Sequence, residues 1–346
     1  MELDFLTRLA SKLLGTRPGL VHGIGDDAAV WEWNNSHYGL ISVDTLHEYW
    51  DFDRVYHAPR YVGYKAATAA ISDICAMNGE PLFLVVSLGI PRHIIPSYME
   101  DVYAGFRAVE EKYNVAVVGG DISGSRDLWL SVTVVGRVEK ERITYRKGAS
   151  PTHLLCVTGD LGGAYAGLKI LQREKAVFLA NPSVQPDVAD FTYVVSRQLK
   201  PEARCDMVRR LRDLGIKPSS MTDLSDGLAV GLHALSKASG VGFHVYLARL
   251  PFHDQTQRVS ELLDSPLSTF LLYGGEEYEL LFTVPVEDYE KLKQEPQIHV
   301  IGFATELEEV LLEDPLGQVQ PVPLLGWDSL TGYKNEGSSA DPSVAS

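Results

Sequence analysis

Residues 115–123 read Val-Ala-Val-Val-Gly-Gly-Asp-Ile-Ser, an apolar run that ends in two glycines and a carboxylate. The run predicts a buried strand over Val115–Val118, and the glycines predict the turn that follows it. The same device recurs at residues 271–277, Leu-Leu-Tyr-Gly-Gly-Glu-Glu. Four further acidic motifs stand near it in kind: Gly25-Asp26-Asp27, Asp44 in ISVDT, Asp73 in AISDI, and Asp223-Leu224-Ser225-Asp226-Gly227. Carboxylates gathered at such turns repel one another unless a cation lies between them. Mg²⁺ prefers oxygen ligands and binds through a few carboxylates plus substrate phosphates. The pattern predicts a metal–phosphate site.

Working outward, Leu3, Leu6, Leu9, Leu13 and Leu14 recur at helical spacing and predict an amphipathic first helix ending at Gly15. Strands are predicted at Tyr38–Val43, Leu82–Leu88 and Leu128–Val138. Helices are predicted at Arg60–Met77, with Asp73 near its end, and at Pro96–Tyr113. The first half thus reads βαβ-αββ. The charged, turn-rich segment 137–153 places a domain boundary near 140–152, with domains over 1–145 and 146–333. The second half predicts strands at Leu154–Val157, Phe243–Leu247, Tyr278–Val284 and His299–Phe303. Its helices are predicted at Gly163–Arg173, around 188–199 and 202–214, and at Asp226–Ala238, with Ser225 and Asp226 capping the last. The polar segment 334–346 predicts a disordered tail.

The 346 residues suit two domains. The formal net charge is 31 − 46 = −15, which excludes the basic footprint of a nucleic-acid binder. An acidic chain still binds phosphate where metal ions invert the local field. Cys75, Cys156 and Cys205 are too few and scattered for a disulfide framework or a zinc site, and read as core or helix residues. Asp4, Arg8 and Lys12 interrupt any signal-peptide layout, and the longest apolar run, Leu82–Ile90, is far short of the roughly 20 residues of a membrane span. The expectation is a cytoplasmic protein without membrane or nucleic-acid partners.

Familiar phosphate devices are missing. The chain has no GxxxxGK[ST] loop, no HRD or DFG pair and no GxSxG elbow, and Gly23–Ala29 lacks the third glycine of a dinucleotide fingerprint. Carboxylates and glycine turns remain as the chemistry-bearing features.

In order along the chain, GIGDDAA, SVDT, AISDICAMNGEP, VVGGDIS, TYRKGA, DLSDG and GGEEYELLF resemble the motif series of the thiamine-monophosphate kinases. That family lies within the aminoimidazole ribonucleotide synthetase-like superfamily, whose members split ATP without a P-loop. The resemblance runs from about residue 20 to Trp327. It implies an α+β fold of two domains, a ferredoxin-like N-terminal domain and an α+β C-terminal domain closing over the nucleotide. It also implies a homodimer paired through the N-terminal sheets. The reaction it implies is phosphorylation of thiamine monophosphate by ATP. By the same resemblance, Asp27, Ser42, Asp44, Asp73, Asp121, Asp223 and Asp226 are expected to bind metal, as several Mg²⁺ ions. Tyr103, Gly120, Asp121, Arg146 and Ser225 are expected to contact ATP. Glu276 and Trp327 match substrate contacts, and Asp121, Arg146 and Asp226 are the residues expected at the transferring group.

The residues agree with these roles on their own chemistry. Glycine at 119–120 removes side chains where backbone must approach phosphate. A guanidinium such as Arg146 suits a developing phosphoryl charge, or a basic surface turn. Trp327 suits a flat cationic ring, or a core anchor. Tyr103 suits core packing equally well.

Three positions depart from the family pattern. Asp51 stands where a substrate-contacting His is usual, with His47 and Trp50 as neighbouring aromatics able to compensate. GGEDYE appears as GGEEYE, lengthening Glu277, and Pro151-Thr152-His153 replaces a Gly-Asp turn. Two other readings stand beside the kinase: another ATP-splitting enzyme of the superfamily with a different acceptor, and a nucleotide-binding regulator without turnover.

Overall fold

The computed structural model describes residues 17–327, together with Leu9, Lys12 and Gly15. The expected first helix and the tail at 334–346 fall outside the described residues or almost wholly so. The first half contains β1 (Leu20–His22), β2 (Ala29–Glu32), β3 (His37–His47), α1 (Pro59–Ala76), β4 (Glu80–Pro91), α2 (Pro96–Tyr113), β5 (Ala116–Ser125) and β6 (Trp129–Glu139). They form a six-stranded sheet in the order β1-β2-β3-β6-β4-β5, with β4 and β5 parallel. Alternation along β3 turns Leu40 and Leu46 inward and leaves Ile41 and Val43 exposed. Helix α1 lies on the inner face, where its Ile71 and Ile74 are wholly buried. Each such side chain contributes roughly 1.5–3 kcal/mol by leaving water.

The second half runs β7 (Leu154–Thr158), α3 (Gly163–Ala180), α4 (Thr192–Leu199), α5 (Cys205–Asp213), β8 (Ser220–Asp223), α6 (Leu228–Ser239) and β9 (Gly242–Tyr246). It continues with α7 (Asp254–Leu262), α8 (Leu267–Tyr273), β10 (Leu280–Val284), α9 (Tyr289–Leu292), β11 (Ile298–Thr305), β12 (Val310–Glu313) and β13 (Val319–Pro321). Its seven strands order as β13-β12-β9-β11-β7-β10-β8. The fold is α+β in two parts, and the parts share a core. Leu84, Val132 and Phe106 of the first half belong to one apolar cluster with Met221, Leu211 and Phe282 of the second. Among the described residues, no helix is long and apolar enough to cross a membrane.

Two local expectations are corrected. Gly119, Gly120 and Asp121 do not form a turn after a strand; they lie inside β5, opposite Val85, Val86 and Ser87. The long neighbour β4 offers a ladder that extends the strand past its apolar run, and glycine permits close approach. A Cβ on Gly120 would lie 1.9 Å from the Val86 carbonyl oxygen, whereas one on Gly119 would meet nothing within 4 Å. Helix α6 begins at Leu228 rather than Asp226, and its N-cap position is Gly227, which has no side chain to cap with. The chain before it serves other contacts: Ser225 O accepts from Glu276 N at 2.6 Å, and Asp226 O from Trp327 N at 3.2 Å.

Candidate active site

The first-half sheet, α1 and the end of β8 converge on one carboxylate cluster. The alternation that buries Leu40 and Leu46 also points Ser42 and Asp44 of β3 inward. Asp73 projects from the last turns of α1, and Asp223 is the last residue of β8. Asp27 arrives from the turn before β2. One carboxylate oxygen from each of Asp27, Asp73 and Asp223 lies within 4.8 Å of the others.

Hydrogen bonds fix these groups. Ser42 Oγ donates to Asp73 Oδ2 at 2.5 Å, and Ser72 Oγ to Asp223 Oδ2 at 2.6 Å. Asp27 Oδ1 accepts from Thr222 Oγ1 at 2.9 Å and from Arg146 Nη2 at 2.5 Å. Asp27 Oδ2 is buried without a hydrogen-bond partner among the described residues. Asp26 turns away to accept the Arg146 backbone N–H at 3.2 Å.

Burial and repulsion hold the carboxyls of Asp26, Asp44, Asp73 and Asp223 above their ordinary range. Burial, then Asp27, pushes Asp26 and Asp223 each up to about 7. Burial, then Asp51, raises Asp44 to about 6. Asp73 is raised well above the carboxylate range by burial, then Asp44 and Asp223. Burial works against the Arg146 charge, but Asp27 and Asp26 outweigh it and hold the guanidinium above its usual range. A buried group of acids, several of which resist ionisation, with the Asp27 Oδ2 atom lacking a hydrogen-bond partner among the described residues, is a donor set suited to a hard divalent cation.

The expected residues separate into three places. Asp27, Ser42, Asp44, Asp73 and Asp223 come together, with Arg146 against them. Ser225 and Asp226 follow on the loop after β8. Asp121 stands apart: its partner Ser87 pairs with Ser131, whose Oγ meets Thr45, so Asp121 faces the outer side of the sheet on an edge strand. Its carboxylate accepts from Ser123 Oγ at 3.4 Å. The Tyr103 ring packs on Phe106, 5.6 Å away on the same helix.

A second cluster borders the first. Lys65 of α1 is fully buried, and its Nζ lies 2.5 Å from Glu276 Oε1 and donates to the Asp51 carbonyl at 2.9 Å. The other Glu276 oxygen accepts from Gln198 Nε2 at 2.7 Å. Glu276 holds φ +66°, a left-handed backbone that costs energy for a side-chain-bearing residue. Trp50 and Trp327 meet with ring centroids 5.7 Å apart. Lys65, Thr222 and Gln198 were not legible as site residues in the sequence. The signal for Lys65 was a cation at the head of the small-residue stretch 65–77, most of it in a helix buried nearly all round.

Residues 25–138 match the family of AIR synthase related proteins in its N-terminal domain, and residues 160–312 match its C-terminal domain. The chain is 36% identical to thiamine-monophosphate kinase of Bacillus subtilis (strain 168), over 79% of this chain and 80% of that one. It is 35% identical to thiamine-monophosphate kinase of Aquifex aeolicus (strain VF5), over 76% and 81%. The chain belongs to the thiamine-monophosphate kinase family. Among solved structures, AaThiL complexed with AMPPCP and TMP superposes with a TM-score of 0.80 at 30% identity, over 94% of this chain and 95% of that one. The hydrogenase maturation protein HypE shares the fold at a TM-score of 0.67 and 18% identity, over 90% of this chain and 94% of that one.

Proposed function

We propose that this chain transfers the γ-phosphoryl group of ATP directly to the phosphate of thiamine monophosphate, giving thiamine diphosphate. Support comes from relatives named for that activity and from a structural neighbour described with AMPPCP and TMP. The observation that carries the reading is the Asp27–Asp73–Asp223 cluster, whose buried Asp27 oxygen, without a hydrogen-bond partner among the described residues, suits a cation. The donor set fits Mg²⁺, held by Asp27, Asp73 and Asp223 with Asp44 and Ser42 beside them and Asp226 on the adjoining loop. Asp121 is assigned to the nucleotide side rather than to the shared cluster. Bound there, Mg²⁺ supplies neutralisation and alignment of two polyanions.

The acceptor needs no general base. A phosphate monoester is largely dianionic at neutral pH because its second pKa is about 6. The protein's task is positioning and charge compensation. Asp27 holds Arg146 at the cluster, close to charge that develops on the transferred group. A Cβ on Gly119 would meet nothing within 4 Å, which leaves room on that face of the strand for a nucleotide, with Ser225 on the loop after β8.

The domains are proposed to span 1–145 and 146–333. The outer face of the first sheet carries exposed Ile41, Val43 and Phe83, at 40%, 58% and 42% exposure, and supports a homodimer paired through that face. The test of function is Mg²⁺-dependent formation of ADP and thiamine diphosphate from ATP and thiamine monophosphate, with Asp223→Asn as control. Equal ATP splitting with and without thiamine monophosphate sinks the reading.

A further inference from the structure

The family pattern puts a substrate-contacting His where this chain has Asp51, and the structure shows what Asp51 does instead. Its Oδ2 accepts the His47 backbone N–H at 2.7 Å, and its carbonyl accepts from Lys65. Asp51 N bonds His47 O at 2.9 Å, and Tyr49 N bonds Phe52 O at 2.8 Å. Phe52, 2% exposed, pins the end of this turn in the core. Asp51 therefore closes the loop on itself, with both its backbone and its side chain engaged within the protein.

Trp50, one residue earlier, is left projecting, at 37% exposure. It meets Trp327 from the far end of the chain at an interplanar angle of 59°. Two indoles at that angle make adjoining walls of a corner, not a slot. Backbone bonds tie the corner and Glu276 to the one loop after β8: Trp327 N donates to Asp226 O, and Glu276 N to Ser225 O. The carboxylate of Glu276 is fixed beside the loop by Lys65 and Gln198. An aromatic corner next to a fixed carboxylate suits a flat organic cation, which indole faces attract strongly.

We infer that Trp50, paired with Trp327, forms the recognition corner for the cationic ring of the acceptor, and that Asp51 shapes the loop without touching substrate. The inference rests on the transfer to thiamine monophosphate proposed above and names the part of the chain that selects this acceptor. Trp50 rather than Asp51 faces the acceptor, because the Asp51 side chain is committed to the His47 backbone.

The test measures KM for thiamine monophosphate and for ATP, and in parallel thiamine monophosphate binding by quenching of tryptophan fluorescence, in wild type, Trp50→Ala, Trp50→Phe, Trp327→Ala and Asp51→Asn. Expected is a rise of about tenfold in KM and Kd for thiamine monophosphate in Trp50→Ala, with partial rescue by Trp50→Phe and KM for ATP nearly unchanged. Asp51→Asn, which keeps an acceptor oxygen for His47, is expected to change the acceptor KM less than about threefold. Binding of hydroxyethylthiazole phosphate, whose ring is uncharged, is expected to be indifferent to Trp50. Wild-type turnover with Trp50→Ala unchanged overturns the inference and leaves the proposed function standing, as does an Asp51→Asn effect as large as that of Trp50→Ala. Wild-type binding and quenching without turnover overturns the proposed function and leaves the corner standing.

Discussion

Arg146 and Asp27, 119 residues apart in sequence, meet through an Nη2–Oδ1 contact of 2.5 Å with the Asp27 side chain wholly buried. This ion pair joins the carboxylate cluster to the segment between the two sheets. It also gives Asp27, proposed above to hold metal, a cationic partner within the protein itself.

Replacing Arg146 with Ala leaves Asp27 buried beside three other acids. Breaking a buried pair from one side costs roughly 3–5 kcal/mol, and the quarter exposure of Arg146 places this case toward the low end. The expected outcome is a clearly lowered Tm without metal, partly recovered by MgCl₂, and a large fall in kcat. Thermal unfolding with and without MgCl₂ measures the first two. A metal-free Tm equal to wild type contradicts the coupling.

Asp73→Asn and Asp223→Asn act in the opposite direction. Each keeps the shape and removes a carboxylate held against its neighbours by burial and repulsion. The metal-free variants should melt ~3 °C or more above wild type while losing about 100-fold or more in activity, a trade of stability against function. Variants less stable than wild type without metal would show that the repulsion is already relieved.

The same groups set a pH dependence. Asp44 and Asp223 have folded-state pKa values raised to about 6 and about 7, above the unfolded value of 3.8. The folded protein therefore binds more protons than the unfolded chain between about pH 4 and about pH 7, so stability falls as pH rises through that window. Their contribution is complete below about pH 4 and lost above about pH 7. In EDTA, Tm should drop between about pH 5 and about pH 7.5, and MgCl₂ should shrink that drop because metal binds the ionised form. A metal-free Tm that rises over this range refutes the assignment.

The long elements were legible because periodicity accumulates over their length. Helix α2 runs from Pro96 to Tyr113 as expected, with proline in its first turn and left-handed Asn114 at its end. Strand β8 was not legible: Ser220-Met221-Thr222-Asp223 is mostly polar, yet all four residues are buried. Its polar groups are satisfied only by tertiary partners, Ser220 Oγ by Thr283 Oγ1 at 2.8 Å and Thr222 by Asp27. The gathering of Asp27, Asp73 and Asp223 could be expected from the acidic motifs. That Asp121 faces away from the cluster could not, because strand register decides facing and the register shifts between Leu84 and Val85.

Asp121 therefore separates function from stability. It is exposed on an edge strand and bonds only to nearby Ser123 among its described hydrogen bonds. Asp121→Asn should leave Tm within about 1 °C of wild type, with or without MgCl₂, because no buried repulsion is relieved. Activity should fall about 100-fold or more if Asp121 holds metal against the nucleotide. An active variant removes Asp121 from the site.

The open face of the first sheet sets the last expectation. Val43 sits mid-strand between exposed Ile41 and Thr45, with Phe83 and half-buried Val135 on neighbouring strands of the same face. A carboxylate there costs the single chain little, since the side chain is already 58% exposed. In a dimer paired through this face it would be desolvated at the centre of the contact, without a partner charge. Val43→Asp should sediment as a monomer at concentrations where wild type is a dimer, with far-UV circular dichroism unchanged. A variant that remains dimeric moves the interface elsewhere on the protein.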